Sequence, residues 1–182
     1  MNYKCFYKTP EGFSDIWMNS DGQKLTGLWF DGTKDEVKHS HRCEGDYTEI
    51  QSPHFSDGLS EAGLKIFDDT KRWLDIYFSG QEPDFTPDYK INNATPFRLE
   101  VIKHMLEIPY GKTVTYGSIA EKIAAAHGIK KMSSRAVGGA VGWNPIGIII
   151  PCHRVIGAGG SLTGYGGGIE NKISLLKLEK WL

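Results

Sequence analysis

Pro151-Cys152-His153-Arg154 follows the apolar run Ile148-Ile149-Ile150 and leads into the glycine-rich stretch 157–168. A β-branched run ending at proline predicts a buried strand that delivers a single cysteine to a turn at the edge of a core. Most free cysteines are small buried hydrophobes. Here, however, an adjacent imidazole and guanidinium both favour the thiolate, the nucleophilic form of the side chain. A thiolate is a strong, soft nucleophile at neutral pH, suited to displacement at carbon. A cysteine hydrolase would need direct contact between thiol and imidazole. Adjacent side chains on an extended segment point to opposite faces, so hydrolysis predicts a histidine distant in sequence instead. No oxyanion-hole motif stands out.

The run Ile150-Pro151-Cys152-His153-Arg154-Val155-Ile156 is preceded at short distance by Arg135-Ala136-Val137-Gly138-Gly139-Ala140 and by Asn144-Pro145. This compound pattern resembles the methylated-DNA–protein-cysteine methyltransferases, also called O6-alkylguanine-DNA alkyltransferases. The resemblance is dense from Pro96 to Glu179 and sparse before it, apart from Trp73-Leu74-Asp75-Ile76-Tyr77-Phe78-Ser79-Gly80, which is similar to the family's amino-terminal helix.

The resemblance implies that Cys152 accepts an alkyl group, that His153 deprotonates it through a water and that Glu179 orients the imidazole. By itself Glu179 reads as a solvated helix charge, and Arg154 as an anchor of the turn. A base inside a duplex cannot present its O6 to a buried thiol, so the nucleotide has to be flipped out. The family pattern assigns Arg135 as the finger that fills the vacancy and Tyr116 as the residue that crowds the phosphate; Tyr116 could equally pack on the core. Thr115, Ser134, Ala136, Gly138 and Gly139 complete the implied DNA-binding face, with the second helix in the minor groove. Asn144 is the implied hinge, against the plain alternative of an Asn-Pro turn. Pro151, Val155, Tyr165, Gly166 and Gly167 are the implied walls of the alkylguanine pocket. The turn region 124–134 is longer than in many members.

The implied partner is double-stranded DNA carrying O6-alkylguanine, with O4-alkylthymine as a further substrate. Transfer would be irreversible and stoichiometric, because a thioether is not hydrolysed and no second thiol is placed to resolve it. No cofactor is expected. The alternative from a different class is a non-catalytic protein that recognises alkylated DNA, against which Cys152 argues directly.

The whole chain supports this frame. Its 182 residues, 40% hydrophobic, suit one large domain or two small ones. No apolar run approaches the roughly 20 residues that span a bilayer, and no signal peptide is visible. A cytoplasmic protein is expected, or a nuclear one in a eukaryote, acting as a monomer. Cys5, Cys43 and Cys152 are odd in number and widely spaced, which gives no disulfide framework. His39, His41 and Cys43 cluster without a convincing fourth ligand, so no metal is expected. The net charge of -1 conceals an asymmetry: residues 1–94 hold 10 Lys+Arg against 17 Asp+Glu, and residues 95–182 hold 11 against 5. Positive charge confined to one half predicts that only this half meets a polyanion.

Element signals place a boundary at 94/95. Short β-type runs at Lys4–Thr9, Ser14–Met18 and Leu25–Phe30, separated by Gly-containing turns, predict an antiparallel hairpin or meander. Ser60 then caps a helix with an apolar stripe of Leu64, Phe67, Leu74, Tyr77 and Phe78, ended by Gly80. Residues 81–94 have linker composition. Thr95-Pro96 starts a helix carrying Phe97, Val101, Met105 and Ile108. Thr115 caps a helix over Tyr116–His127, Ser133 or Ser134 caps Arg135–Val141, and Asn171 caps a final helix to Trp181, with Ile173, Leu176 and Trp181 inward. The two short helices form a helix-turn-helix. The expected fold is α/β of the α+β type: a small amino-terminal antiparallel sheet domain with a helix over 1–94, ribonuclease H-like by resemblance, and over 95–182 a mostly helical, winged helix-turn-helix-like domain.

Overall fold

The computed structural model describes residues 2–35, 47–50 and 60–182; the His39, His41 and Cys43 cluster lies outside the described residues. The chain divides into two compact units, Met1–Asn92 and Asn93–Leu182.

The first unit is a four-stranded sheet with one long helix. Strands β1 (Asn2–Tyr7), β2 (Ile16–Ser20) and β3 (Leu25–Phe30) form the antiparallel meander, and β4 (Tyr47–Ile50) runs parallel to β1 at the edge, in the order β3-β2-β1-β4. Local turn signals reveal the meander but not the parallel strand, whose pairing is non-local. The first two strands also end earlier and begin later than the alternation suggests. Thr9 donates its N–H to the Asp15 carboxylate at 3.0 Å and its hydroxyl to the Phe13 and Ser14 carbonyls, which commits these residues to the turn.

Helix α1 (Glu61–Phe78) is capped by Ser60, whose hydroxyl accepts from the Gly63 N–H. Its buried face carries Ile66, Phe67, Trp73, Leu74, Tyr77 and Phe78, while Ile16, Met18, Leu25 and Leu28 of the sheet are almost wholly buried. Leu64 is only partly covered. Tyr7 joins strand to helix: its ring stacks on Phe78 and its hydroxyl donates to Asp75 at 2.7 Å. Burial and the neighbouring Asp75 carboxylate both push the phenol's pKa up, so it stays a donor. Residues 81–92, linker-like in composition, stay with this unit: Leu25 donates to the Asp88 carbonyl at 2.9 Å and Lys90 to the Leu25 carbonyl at 2.8 Å.

The second unit begins with α2 (Pro96–Leu106), whose cap Thr95 accepts from the Arg98 N–H. A two-residue strand, β5 (Val114–Thr115), leads directly into α3 (Tyr116–Ala126), and a short loop joins this to α4 (Ser134–Val141). Thr115 caps α3 through Ser118 N–H and Ser133 caps α4 through Ala136 N–H, each satisfying a donor the first helical turn leaves orphaned. Val101, Met105, Ile119, Ile123 and Val137 form the core between α2, α3 and α4. Strand β6 (Val155–Ile156) pairs parallel with β5, pinning the segment after Cys152 to the start of α3. Helix α5 (Ile169–Leu178) closes the chain.

Two expectations fail here. Ile148-Ile149-Ile150 is not a strand: it is a buried turn in which Ile150 N–H bonds the Ile146 carbonyl and Ile148 sits at φ 65°. That conformation is costly for a β-branched residue, and the burial of the run together with the Asn144 amide described below holds it. The last helix begins two residues before Asn171. Gly168, at φ 87°, occupies the cap position, and Asn171 is buried inside the first turn with its amide donating to the Gly167 carbonyl at 2.8 Å. Leu175 and Leu176 are its wholly buried apolar residues, whereas Ile173 and Trp181 are only partly covered. No helix among the described residues is long and apolar enough to cross a membrane.

Tyr7→Phe removes the hydroxyl that reaches Asp75 while keeping the ring. Urea denaturation should show a loss of about 1.5–3 kcal/mol, the range for a hydrogen bond to a charged group; an unchanged midpoint would mean that this bond carries no net stability.

Candidate active site

Cys152 opens a single 3-10 turn, Cys152–Arg154, rather than lying on an extended segment. It is 6% exposed and His153 is wholly buried. The turn is held from two sides. On one side stands Asn144, two residues beyond the Gly142 cap of α4, with its backbone N–H on the Val141 carbonyl. Its side-chain oxygen accepts from Ile146 N–H at 3.1 Å, which fixes the amide orientation. The amide nitrogen then faces three acceptors, the Ile150 carbonyl at 2.8 Å, the Ile146 carbonyl at 3.3 Å and Cys152 Sγ at 3.1 Å. One side chain thus curls the isoleucine turn and presents a donor to the sulfur, an interaction that is stronger with a thiolate than with a thiol.

On the other side stands Glu179, the residue that ends α5. It is almost completely buried, a costly place for a carboxylate unless every lone pair is used. His153 Nε2 lies 2.8 Å from Oε1, Arg154 Nε donates to both oxygens at 3.1 and 2.9 Å, a second Arg154 nitrogen reaches Oε1 at 3.0 Å, and Gly111 N–H reaches Oε2 at 3.1 Å. Arg154 also donates to the Ile108 carbonyl. Burial pushes the Glu179 pKa up, but the hydrogen bond and charge of His153 and then those of Arg154 outweigh it and hold it at about 2. Gly111 is at φ 68°, and a Cβ there would lie 2.9 Å from the Glu179 backbone carbonyl.

Burial lowers the His153 pKa more strongly than Glu179 raises it, so the imidazole is neutral near pH 7. Since an ionised Glu179 only accepts, the proton of neutral His153 sits on Nε2 and the basic lone pair on Nδ1. Asn144, Cys152, His153 and Glu179, expected from sequence, lie on or against this one turn, with the Asn144 amide on the Cys152 sulfur and the Glu179 carboxylate on the His153 ring.

The other expected residues separate into two groups. Thr115, Tyr116, Ser134, Arg135 and Gly138 line a cleft of about 490 Å³, together with Gly117, Ala158, Thr163 and Gly164. Arg135 is exposed, as are Ala136 and Gly139, in the first turns of α4. Tyr116 spans the cleft with its hydroxyl 3.4 Å from the Thr163 carbonyl, and its pKa is raised by burial and then by the charge of Cys152. Pro151 and Val155 are buried beside the cysteine. Tyr165, Gly166 and Gly167 are not among the residues that line this cleft, which the glycine-rich loop reaches through Thr163 and Gly164. Their contribution is missed from sequence because nothing in local composition distinguishes one part of a glycine-rich loop from another. Among the described residues no cluster of three or more His, Cys, Asp or Glu could hold a metal.

A mixed α/β protein with a small sheet unit and a mostly helical unit, the latter holding a cysteine turn beside a helix-turn-helix, is the class these features define. Residues 96–181 match the family described as 6-O-methylguanine DNA methyltransferase, DNA binding domain. A methylated-DNA–protein-cysteine methyltransferase of Haemophilus influenzae is 34% identical over 178 residues, covering 98% of this chain and 86% of that protein. One of Mycobacterium tuberculosis is 51% identical over 107 residues, which are 59% of this chain and 61% of the relative's length. The crystal structure of M. tuberculosis O6-methylguanine methyltransferase superposes with a TM-score of 0.75 at 37% identity, covering 99% of this chain and 93% of that one, and a structure of the M. tuberculosis protein in complex with DNA gives 0.73 at 35%, covering 98% and 92%. The chain belongs to the methylated-DNA–protein-cysteine methyltransferase family.

The site should be acid-labile in a defined window. His153 and Glu179 both have folded pKa values below their unfolded ones, so each stabilises at high pH and loses its contribution on acidification. The loss begins below the ordinary histidine value of 6.5 and continues from 4.5 down to about 2 as Glu179 protonates. The Glu179 shift alone corresponds to roughly 3 kcal/mol. Glu179→Gln should therefore be less stable than the parent at pH 7 and converge towards it by pH 2 to 3 in urea titrations; parallel curves would show that the carboxylate does not control acid stability.

Proposed function

We propose that this protein repairs DNA by direct reversal, transferring an alkyl group from O6 of guanine, and from O4 of thymine, in double-stranded DNA to its own Cys152. Residues 95–182 carry the DNA and the chemistry, and residues 1–94 serve as scaffold. The observation that carries the reading is the Cys152 sulfur held 3.1 Å from the Asn144 amide in the turn where Glu179 orients a buried, neutral His153. The Mycobacterium tuberculosis relative in complex with DNA and the family match to the DNA-binding domain support the choice of polymer.

The sulfur loses its proton to His153 through a water and attacks the alkyl carbon. One S–C bond forms, the C–O6 bond breaks with its electron pair passing to the guanine oxygen, and the base takes up one proton in place of the one the thiol gave up. Asn144 stabilises the negative sulfur, and Glu179 the imidazolium. The product thioether has no leaving group, so each molecule acts once and needs no cofactor. To reach a buried sulfur the nucleotide leaves the stack, at a cost on the order of a few kcal/mol. Arg135, exposed at the start of α4, fills the gap, while Tyr116, on the cleft, turns the phosphate. Thr115, Ser134, Ala136, Gly138 and Gly139 surround this approach. A monomeric cytoplasmic protein fits the same reading.

Incubation with duplex DNA carrying one O6-methylguanine, followed by intact mass and peptide mapping, should show one methyl group on Cys152, stoichiometric with protein and absent in Cys152→Ala. Tight lesion binding with no mass gain would leave a damage-recognition protein instead. Arg135→Ala should slow transfer from duplex DNA tenfold or more, on the order of the unstacking cost, while transfer from free O6-benzylguanine, which needs no flipping, stays near the parent rate. Equal slowing of both would remove Arg135 from the flipping step.

A further inference from the structure

Among the described residues, Lys172 is a buried ionisable group near Cys152 that the proposed mechanism does not use. This residue lies in the first half of α5, is wholly buried, and donates from Nζ to the Val155 carbonyl at 2.7 Å. Among the described residues no carboxylate lies within ion-pair distance of Nζ. The one buried carboxylate of the site, Glu179, is engaged by Arg154 and His153. The remaining neighbour of note is the Tyr165 ring, 5.9 Å from Nζ. An ammonium removed from water beside a carbonyl and over a ring some way off is costly unless an anion compensates it.

The structure offers one such anion. Val155, which holds Nζ, follows the Cys152–Arg154 turn directly, so the bond places the ammonium against the segment that carries the sulfur. We propose that Lys172 is a positioning residue whose buried positive charge is the electrostatic partner of the Cys152 thiolate. The inference rests on Cys152 being the acceptor. The charged and titratable groups that bear on the pair are Cys152, His153 and Arg154 of the turn, Glu179 at the end of α5, and Tyr116 and Tyr165 on the loop and cleft side. Burial lowers the Lys172 pKa to about 8, and the Cys152 charge is what opposes that fall. The charge of Lys172 in turn helps hold His153 neutral and able to accept a proton.

A division of labour follows. His153 and Glu179 take the proton away, and Lys172 with the Asn144 amide holds the charge that remains. A merely structural lysine, tying α5 to β6 through the Val155 carbonyl, would affect folding but not the ionisation of the sulfur.

The test is the pH dependence of Cys152 alkylation by iodoacetamide, followed by peptide mapping in the full-length protein. No DNA is involved, so failure of the DNA-repair reading and failure of this one are distinguishable. Lys172→Met should move the midpoint of the rate profile upward by about one to three pH units, the usual effect of removing an adjacent opposite charge, and Lys172→Arg should restore most of it. A Met variant that folds and keeps the parent midpoint overturns the proposal. Should the Met variant not fold, the same pairing is read from the other side. In Cys152→Ser the Nζ pKa of Lys172, followed by NMR with labelled lysine, should fall below the parent value, and an unchanged value overturns the proposal equally.

Discussion

A single buried carboxylate organises the second unit. From the end of α5, Glu179 draws donors from two places distant in sequence: Gly111 after α2, and His153 and Arg154 on the cysteine turn. Its burial would be unfavourable with any of them missing, because a buried charge left without its donors costs several kcal/mol. The network thus locks the ends of two helices to the turn that carries the sulfur, and it assigns the tautomer of His153 in doing so. The same contacts that hold the fold also set the ionisation of His153 and Glu179.

Asn144 plays the complementary part at the other end of the turn. Its amide nitrogen lies within hydrogen-bond distance of two backbone carbonyls of a segment that has left regular structure and of the sulfur, sharing its two hydrogens among them. Ile148 at φ 65° is the local cost of that geometry. Strain of this kind persists only where surrounding packing over-determines the backbone, and here Ile146, Ile148 and Ile150 are essentially without solvent contact. Beyond this turn, the parallel pairing of Val155 and Ile156 with Val114 and Thr115 hands the constraint on to the helix-turn-helix. Cleft and sulfur are therefore joined through one continuous set of backbone and side-chain contacts.

Most helices were legible because their start signals are local: Ser60, Thr95, Thr115 and Ser133 each make the capping bond their residue type suggests. The three-strand meander was legible for the same reason. What escaped was non-local. The parallel strand β4 pairs across a long stretch of chain, Thr9 is drawn out of its strand by Asp15, and Asn171 turns from an expected cap into a buried donor because Gly168 can adopt a backbone conformation closed to other residues. The isoleucine run has the composition of a strand, and its burial together with the Asn144 side chain makes it a turn.

The sequence by itself determined which residue types stand near one another along the chain: a cysteine flanked by imidazole and guanidinium, a basic half and an acidic half, capped helices at helix-turn-helix spacing. These follow from covalent order and local hydrogen bonding, which need no tertiary contact. Only the tertiary structure decided that Glu179 is a buried partner rather than a solvated helix charge, that Arg154 grips it, and that Lys172 lies buried beside the cysteine turn. The reason is that the ionisation of a side chain depends on the water it has lost and the charges it has gained. Both come from chain segments that the residue's own neighbours in sequence do not specify.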